Sequence, residues 1–304
     1  MSGKRILLLS LILSISATLF GQQQAERIDT TSIDTVFYQS VYNLRPVLLK
    51  KNKILVNTRF NFPRFYKMYI PQQNKIAKVP PYIVLNEFYF DTYFTYGYSD
   101  KINIYTVIPI ADIHHYSPMG VQKGVGFGDV QLGATYQITR ADTGKNFLSG
   151  ELKITFPTGK TAYSMQDYPT GLGSFRFMAA INGLTKFENF NLWYTGYYEY
   201  RTNHSGITAG DETGLFITIQ KPFNLNVGNF GIEYGLNGYY NFSDKKSGTQ
   251  IPNTQDFAVN LYFGGWYKYL DNFYIRFGVP YTVFQNNAWL TKYNVMIQID
   301  YLLK

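Results

Sequence analysis

The sequence predicts a closed antiparallel β-barrel of about twelve strands that spans a membrane. Three observations predict it. From residue 53 to the C-terminus, twelve successive segments alternate apolar and polar residues, which marks strands with one apolar and one polar face. The connections between these segments alternate between short and long. The chain also combines 28 Tyr, 24 Phe and 3 Trp with only 16% charged residues, where an ordinary protein carries about 25%.

The segments follow in order. Ile54, Val56, Thr58, Phe60 and Phe62 oppose Asn57, Arg59 and Asn61. Phe88, Phe90, Thr92, Phe94 and Tyr96 oppose Tyr89, Asp91 and Tyr93. Ile102, Ile104, Thr106 and Ile108 form the third segment. Val130, Leu132, Ala134, Tyr136 and Ile138 oppose Asp129, Gln131 and Thr135. Leu148, Gly150, Leu152, Ile154 and Phe156 oppose Ser149, Glu151, Lys153 and Thr155. Phe175, Phe177, Ala179 and Ile181 oppose Arg176 and Asn182.

Leu192, Tyr194, Gly196, Tyr198 and Tyr200 oppose Thr195, Glu199 and Arg201. Leu215, Ile217 and Ile219 oppose Thr218 and Gln220. Ile232, Tyr234, Leu236, Gly238 and Tyr240 oppose Glu233, Asn237 and Asn241. Phe257, Val259, Leu261, Phe263 and Tyr267 oppose Asn260 and Lys268. Phe273, Ile275, Phe277 and Val279 oppose Tyr274 and Arg276. The last segment sets Tyr293, Val295, Ile297, Ile299, Tyr301 and Leu303 against Asn294, Met296, Gln298 and Asp300. Each strand is expected to run about 9–13 residues, near the length that crosses a bilayer.

Short connections fall at 97–100, 140–146, 186–190, 222–228 and 269–272. Longer ones fall at 63–82, 110–126, 157–172, 202–211, 243–255 and 284–289. Short turns at one rim and long loops at the other are the outer-membrane barrel layout. A secreted sandwich or lipocalin also alternates, but it packs its large apolar face inward. Twelve strands with four or five apolar groups each fit them only on the outside, and that surface is tolerable only in lipid. Tyr96, Tyr136, Phe156, Tyr200, Tyr240 and Tyr267 lie near strand ends and suit interfacial girdles.

Composition excludes several classes. The hydrophobic fraction of 45% is too high for a disordered chain. With no Cys there is no disulfide scaffold, no Cys-ligated metal and no lipoprotein anchor. Mean hydropathy is −0.18, and no apolar run past residue 21 is long enough for a membrane helix. The basic balance lacks a cluster of Lys and Arg, so nucleic acid is not an expected partner.

At the N-terminus, Lys4 and Arg5 precede the apolar stretch Ile6–Phe20, and Gly21 ends it before Gln22. These are the three parts of a secretory signal peptide. Residues 1–21 are therefore expected to be removed on export to the outer membrane of a Gram-negative bacterium. Residues 22–52 read as a periplasmic extension or a plug, with Val36-Phe37-Tyr38 and Val47-Leu48-Leu49 as apolar material to bury. Residues 53–304 form the barrel.

If the apolar parity faces lipid, the other lines the lumen. Arg59, Asp91, Asp129, Glu151, Lys153, Arg176, Glu199, Arg201, Glu233, Arg276 and Asp300 then point inward. Both signs occur on neighbouring strands. Two readings stay open: a salt-bridged network that stiffens a narrow bore, or a wet, charge-balanced path, since buried charges need partners either way. Inward Tyr89, Tyr93, Tyr105, Trp193, Tyr197, Tyr239, Tyr262, Trp266 and Tyr274 suit a small amphipathic or aromatic solute.

No segment carries a catalytic motif, and no cofactor or metal is expected. Gly159-Lys160-Thr161 lacks the earlier glycine of a phosphate loop, because position 154 is Ile. The glycines of 124–128 precede a strand, not the helix N-terminus that a phosphate cradle needs. His115-Tyr116-Ser117 is weakly similar to the His-x-Ser-Asn-Gly of the outer-membrane phospholipase, but Pro118 and Met119 replace Asn and Gly. A hydrolase would also need a third group to orient the imidazole, and the sequence identifies none. His114 and His115 read as solvated loop residues.

Three segments carry a family resemblance. Tyr96-Gly97-Tyr98-Ser99-Asp100-Lys101-Ile102, Gly126-Phe127-Gly128-Asp129-Val130-Gln131-Leu132-Gly133-Ala134 and Lys153-Ile154-Thr155-Phe156-Pro157-Thr158-Gly159 occur in this order. With Gly171-Leu172-Gly173-Ser174 and the terminal strand, they resemble the outer-membrane family named for the meta-pathway of phenol degradation, over roughly residues 85–303. The resemblance implies a channel akin to the fatty-acid and toluene transporters, for passive uptake of small apolar or aromatic molecules. It transfers no catalytic residue. Lys304 stands where the family ends on an aromatic. The implied partners are outer-membrane lipid, a small solute and the barrel-assembly machinery. The alternative is a structural or surface-binding barrel with a closed lumen.

Overall fold

A computed structural model describes residues 49–303 apart from 71–74, 119, 141–145, 162–166, 205, 226–227, 253, 271 and 287–288. The expected leader and residues 22–48 lie outside the described residues. The strands are β1 (Ile54–Ile70), β2 (Lys75–Lys78), β3 (Val84–Ser99), β4 (Ile102–Ser117), β5 (Gly120–Phe127), β6 (Gln131–Arg140), β7 (Asn146–Thr155), β8 (Arg176–Lys186) and β9 (Asn191–Arg201). They continue with β10 (Asn203–His204), β11 (Ile207–Thr208), β12 (Glu212–Leu225), β13 (Gly228–Asn241), β14 (Lys245–Lys246), β15 (Thr249–Gln250), β16 (Asp256–Leu270), β17 (Phe273–Gln285) and β18 (Trp289–Leu303).

Twelve of these build the barrel, in the order β1, β3, β4, β6, β7, β8, β9, β12, β13, β16, β17, β18. All neighbours are antiparallel. β18 returns to β1 in unbroken register from Ile54↔Leu303 to Arg64↔Tyr293. Closure leaves the barrel sheet no open edge there, which a chain in hydrocarbon requires. All twelve expected strands are present.

Burial follows parity. Leu152 is 69% exposed beside Glu151 at 4%, and Phe277 is 51% exposed beside Arg276 at 0%. So many exposed large apolar side chains would be an aggregation hazard in water and are the normal outer face of a barrel in lipid. Aromatic pairs flank three short turns: Phe187 with Phe190, Phe223 with Phe230, and Tyr269 with Phe273, at centroid separations of 4.5, 5.0 and 6.1 Å. Amphipathic and aromatic rings at such a rim anchor it at the lipid boundary.

Two expectations are corrected. The strands run up to 17 residues, not 13. The extra length comes from segments read as loops: β1 continues to Ile70, and β4 continues to Ser117 and turns back as β5. These extensions rise beyond the lipid-matched part, so selection for an apolar face relaxes and the alternation fades. The loops 202–211 and 243–255 likewise contain a small sheet of β10, β11, β14 and β15.

Candidate functional site

The inward faces of the barrel strands supply the candidate site. Several inward rings lie against the wall instead of across the bore. Tyr105 lies over Gly133, Tyr197 over Gly214 and Trp266 over Gly231, where an added Cβ would run into each ring. A glycine opposite an inward ring gives the ring room to lie flat across the neighbouring strand.

Near the short turns, Arg276, Gln298 and Asp300 are fully buried. The Arg276 Nε and Gln298 Nε2 both donate to the Asp300 carboxylate. Asn57 Nδ2 donates to the same carboxylate at 2.7 Å. The Arg276 guanidinium also lies 5.7 Å from the centroid of the Tyr274 ring. A buried carboxylate with three donors meets the cost of leaving water.

Further round the wall, Glu151 accepts from Tyr105 Oη and from Asn182 Nδ2 (3.0 Å). Thr195 Oγ1 donates to Asn182 Oδ1 at 2.8 Å, which extends the chain of bonds across β7, β8 and β9. Glu233 accepts from Tyr262 Oη and from Gln220 Nε2 (3.4 Å). Arg59 pairs with Asp91 at 2.8 Å between β1 and β3, with Tyr93 Oη at 3.4 Å.

At the long-loop ends of β7, β8, β9 and β12, charges of both signs interlock. Glu199 lies 4.0 Å from Lys153, 3.6 Å from Arg176 and 3.1 Å from Arg201. Arg201 pairs with Glu212 at 2.7 Å, and Arg176 approaches Asp129 at 3.5 Å. Tyr197 Oη donates to Glu212 at 2.5 Å. Cations and acids are balanced, and side chains here keep partial exposure (18% for Arg176, 17% for Lys153). This end is the wetter one.

Asp129 has a second role that the sequence did not reveal. It lies just before β6, and its carboxylate accepts the N–H of Gly159 (3.0 Å) and of Leu172 (2.9 Å). Thr158 Oγ1 accepts from Val130 N (2.8 Å) and donates to Gly128 O (3.0 Å). Thr170 Oγ1 accepts from Lys160 N (2.9 Å) and donates to Phe127 O (2.7 Å). A Cβ on Gly171 would run into the Asp129 carboxylate, and one on Gly159 into Gly171. Three of the resemblance segments therefore meet in one knot that pins the 156–174 connection to the wall.

His114 and His115 are not loop residues. Both belong to β4, where neighbours point to opposite faces, so they cannot hold one ion together. His115 is buried, and its Nε2 lies 2.8 Å from Glu87 Oε1. Tyr89 Oη donates to Glu87 Oε2 at 2.6 Å, and the Tyr168 ring meets His115 edge-on at 4.4 Å. The orienting group that the sequence did not identify is thus Glu87, one strand away. Ser117 Oγ donates to Gly120 O at 3.2 Å.

Below the site, the described chain starts inside the barrel. Leu49 packs with the inward Leu55, Tyr274 and Leu302. Its N–H donates to Asn103 Oδ1 at 3.1 Å, and Lys51 N donates to Asp100 Oδ1 at 3.2 Å. A Cβ on Gly97 would collide with the Lys50 carbonyl, so this close approach depends on glycine.

Among solved structures, an outer-membrane channel from Pseudomonas putida F1 is similar, with a TM-score of 0.71 and 12% identity over 86% of this chain and 100% of that one. The KdgM porin (TM-score 0.44, 8% identity) and the NanC porin (0.46, 11%) each align over 81% of this chain and 98% of their own. No protein-family model and no curated protein matches the chain. At these identities the likeness to the Pseudomonas channel establishes the barrel fold.

Proposed function

We propose that the chain is an outer-membrane channel of a Gram-negative bacterium for passive uptake of a small apolar or aromatic solute. The observation that carries this reading is the two-faced wall. A closed barrel with exposed Leu, Ile, Phe and Tyr outside and paired charges with Tyr and Trp inside suits a passage across lipid. Flat-lying rings beside polar tips offer an apolar solute stacking surfaces without a dry, sealed core. The resemblance to the phenol-degradation family supports the same solute class. In this reading residues 1–21 are removed on export and the barrel-assembly machinery inserts the rest. The eleven inward charges from Arg59 to Asp300 line or brace the path. Residues Leu49 to Lys51, held against Leu55, Asn103 and Asp100, narrow its short-turn end.

The test is reconstitution in vesicles of defined lipid, with flux of toluene-sized aromatics and single-channel current as readouts. Solute-dependent flux above empty vesicles is expected. Absence of both flux and current for every solute tried would overturn the reading. A second reading, a closed structural or surface-binding barrel, draws on the full burial of Glu233, Arg276, Gln298 and Asp300. It predicts no flux, and loss of surface binding on deletion of 243–255.

A further inference from the structure

The connection from β7 to β8 folds back over the inner face of the barrel mouth. Its described residues are 156–161 and 167–174. Its base is tied to the buried carboxylate of Asp129 through Gly159 N and Leu172 N. From that base the strap reaches β5. Asp167 forms an isolated parallel bridge with Lys123, and Tyr168 N donates to the Lys123 carbonyl at 2.8 Å. Lys160 Nζ lies 2.9 Å from the Asp167 carboxylate, across the strap.

Tyr168 then enters the inner face. Gly124 pairs with the inward, buried Ile113. A Cβ on Gly124 would stand 2.5 Å from the Tyr168 carbonyl, so a glycine at this position makes room for the strap. The Tyr168 ring meets His115 edge-on at 4.4 Å, one of the favoured geometries of ring pairs. His115 Nε2 in turn lies 2.8 Å from Glu87 Oε1, and Glu87 also accepts the Tyr89 hydroxyl. A phenol ring thus rests on an imidazole whose orientation is set from β3. The two ends of the strap are attached differently. The base bonds to a buried carboxylate. The tip joins β5 by an isolated bridge and not a ladder, and its ion pair is exposed on both sides (46% and 36%), a kind that contributes little.

We propose that Tyr168 latches the long-loop mouth of the bore, and that an aromatic solute opens it by taking the ring's place on His115. The latch rests on the channel reading, since it regulates that same path. The site displays its own ligand class, because it already holds a phenol group tethered to the chain. A free ring of that size makes the same contact with the imidazole, beside a glycine that presents no side chain. It does so only where Tyr168 has left. A ligand that binds one of two states draws the population toward that state. The solute that crosses is then the one that unlatches, and a solute of similar size without an aromatic ring has nothing to exchange. With its base held by Asp129, the strap lifts at its tip and stays joined to the wall.

A lock tests this. The chain has no cysteine, so Lys123→Cys with Asp167→Cys introduces its only two thiols. Bridged strands lie about 4.8 Å apart, within the ~4.4–6.8 Å between Cα atoms that a disulfide spans. In dodecyl maltoside an oxidant is expected to close the pair. There p-cresol, a soluble copy of the tyrosine side chain, slows closure at least threefold, and cyclohexanol does not. In planar bilayers p-cresol raises the single-channel current of the reduced barrel at least twofold. The closed lock abolishes that rise, and reduction restores it. Diethyl pyrocarbonate, mapped by mass, modifies His115 at least tenfold faster in Tyr168→Ala than in the parent, with His204 as reference and the heat-dependent gel shift unchanged. Thiols that do not close, closure slowed by both solutes or by neither, a current that rises in the locked barrel, or unchanged His115 labelling would each overturn the latch. Absence of current in the parent and in the reduced barrel counts against the channel reading alone, and closure and labelling then decide the latch.

Discussion

Replacing Asp129 with Asn tests the knot that holds the 156–174 connection. The change keeps shape and removes charge. One amide, Gly159 N at 3.0 Å or Leu172 N at 2.9 Å, then faces an NH2 group instead of an acceptor. A hydrogen bond to a charged acceptor contributes about 1.5–3 kcal/mol. Weakening the second bond and the 3.5 Å contact with Arg176 adds to this. A loss of ~3 kcal/mol raises the open fraction of the connection about 100-fold, at 1.4 kcal/mol per tenfold. Lys160 lies inside this connection, with its side chain 46% exposed. When opening is fast relative to cleavage, proteolysis follows the open population. Trypsin should therefore cut after Lys160 about 100-fold faster in the variant, with the cut site assigned by mass and the barrel intact by gel shift. Cleavage within threefold of the parent would refute the knot as the restraint. Asp129→Ala should be at least as fast, because it removes both acceptors.

Other expected outcomes concern the wall and the bore. Arg276→Leu strands the buried Asp300 carboxylate and should cost about 3–5 kcal/mol in urea unfolding from vesicles, whereas Arg276→Leu with Asp300→Leu should recover most of it; a double variant no better than the single would contradict this pairing. Leu152→Arg places a cation on the lipid face and should cost about 2–4 kcal/mol, if Leu152 lies near the bilayer midplane, while Leu152→Ile should be nearly neutral in the same assay. Gly97→Ala pushes against the Lys50 carbonyl and should raise single-channel conductance by loosening the segment from Leu49 to Lys53; an unchanged conductance would remove that segment from the path. Glu87→Gln weakens the partner of His115 and should leave the gel shift intact while increasing the access of soluble carbodiimide or histidine reagents to the interior.

The twelve strands were legible because parity is local. Tyr293 to Leu303 declare their face through neighbours two residues away, and no tertiary information is needed. Inward placement of Glu151 or Arg276 followed from the same rule. The extension of β4 to Ser117 and its return as β5 were not legible. Asp112, His114 and Lys123 break the alternation there, because water and not lipid meets that surface. The Asp129 knot was equally hidden. Its acceptor and its donors lie 30 and 43 residues apart, and the glycines that permit their approach look like ordinary turn residues. His115 read as solvated because its partner Glu87 lies 28 residues earlier and meets it only through the β3–β4 register.

By itself the sequence determined the strand count, the direction each side chain faces and the reason for so many rings in a chain short of charge. Those properties follow from the period of a strand and from the exclusion of charge by hydrocarbon. Only the tertiary structure decided which inward charge meets which partner, which rings lie flat on glycine, and where Tyr168 meets the wall. Each of these depends on register and closure. A pairing across the barrel is set by the stagger of whole strands, which no local alternation encodes.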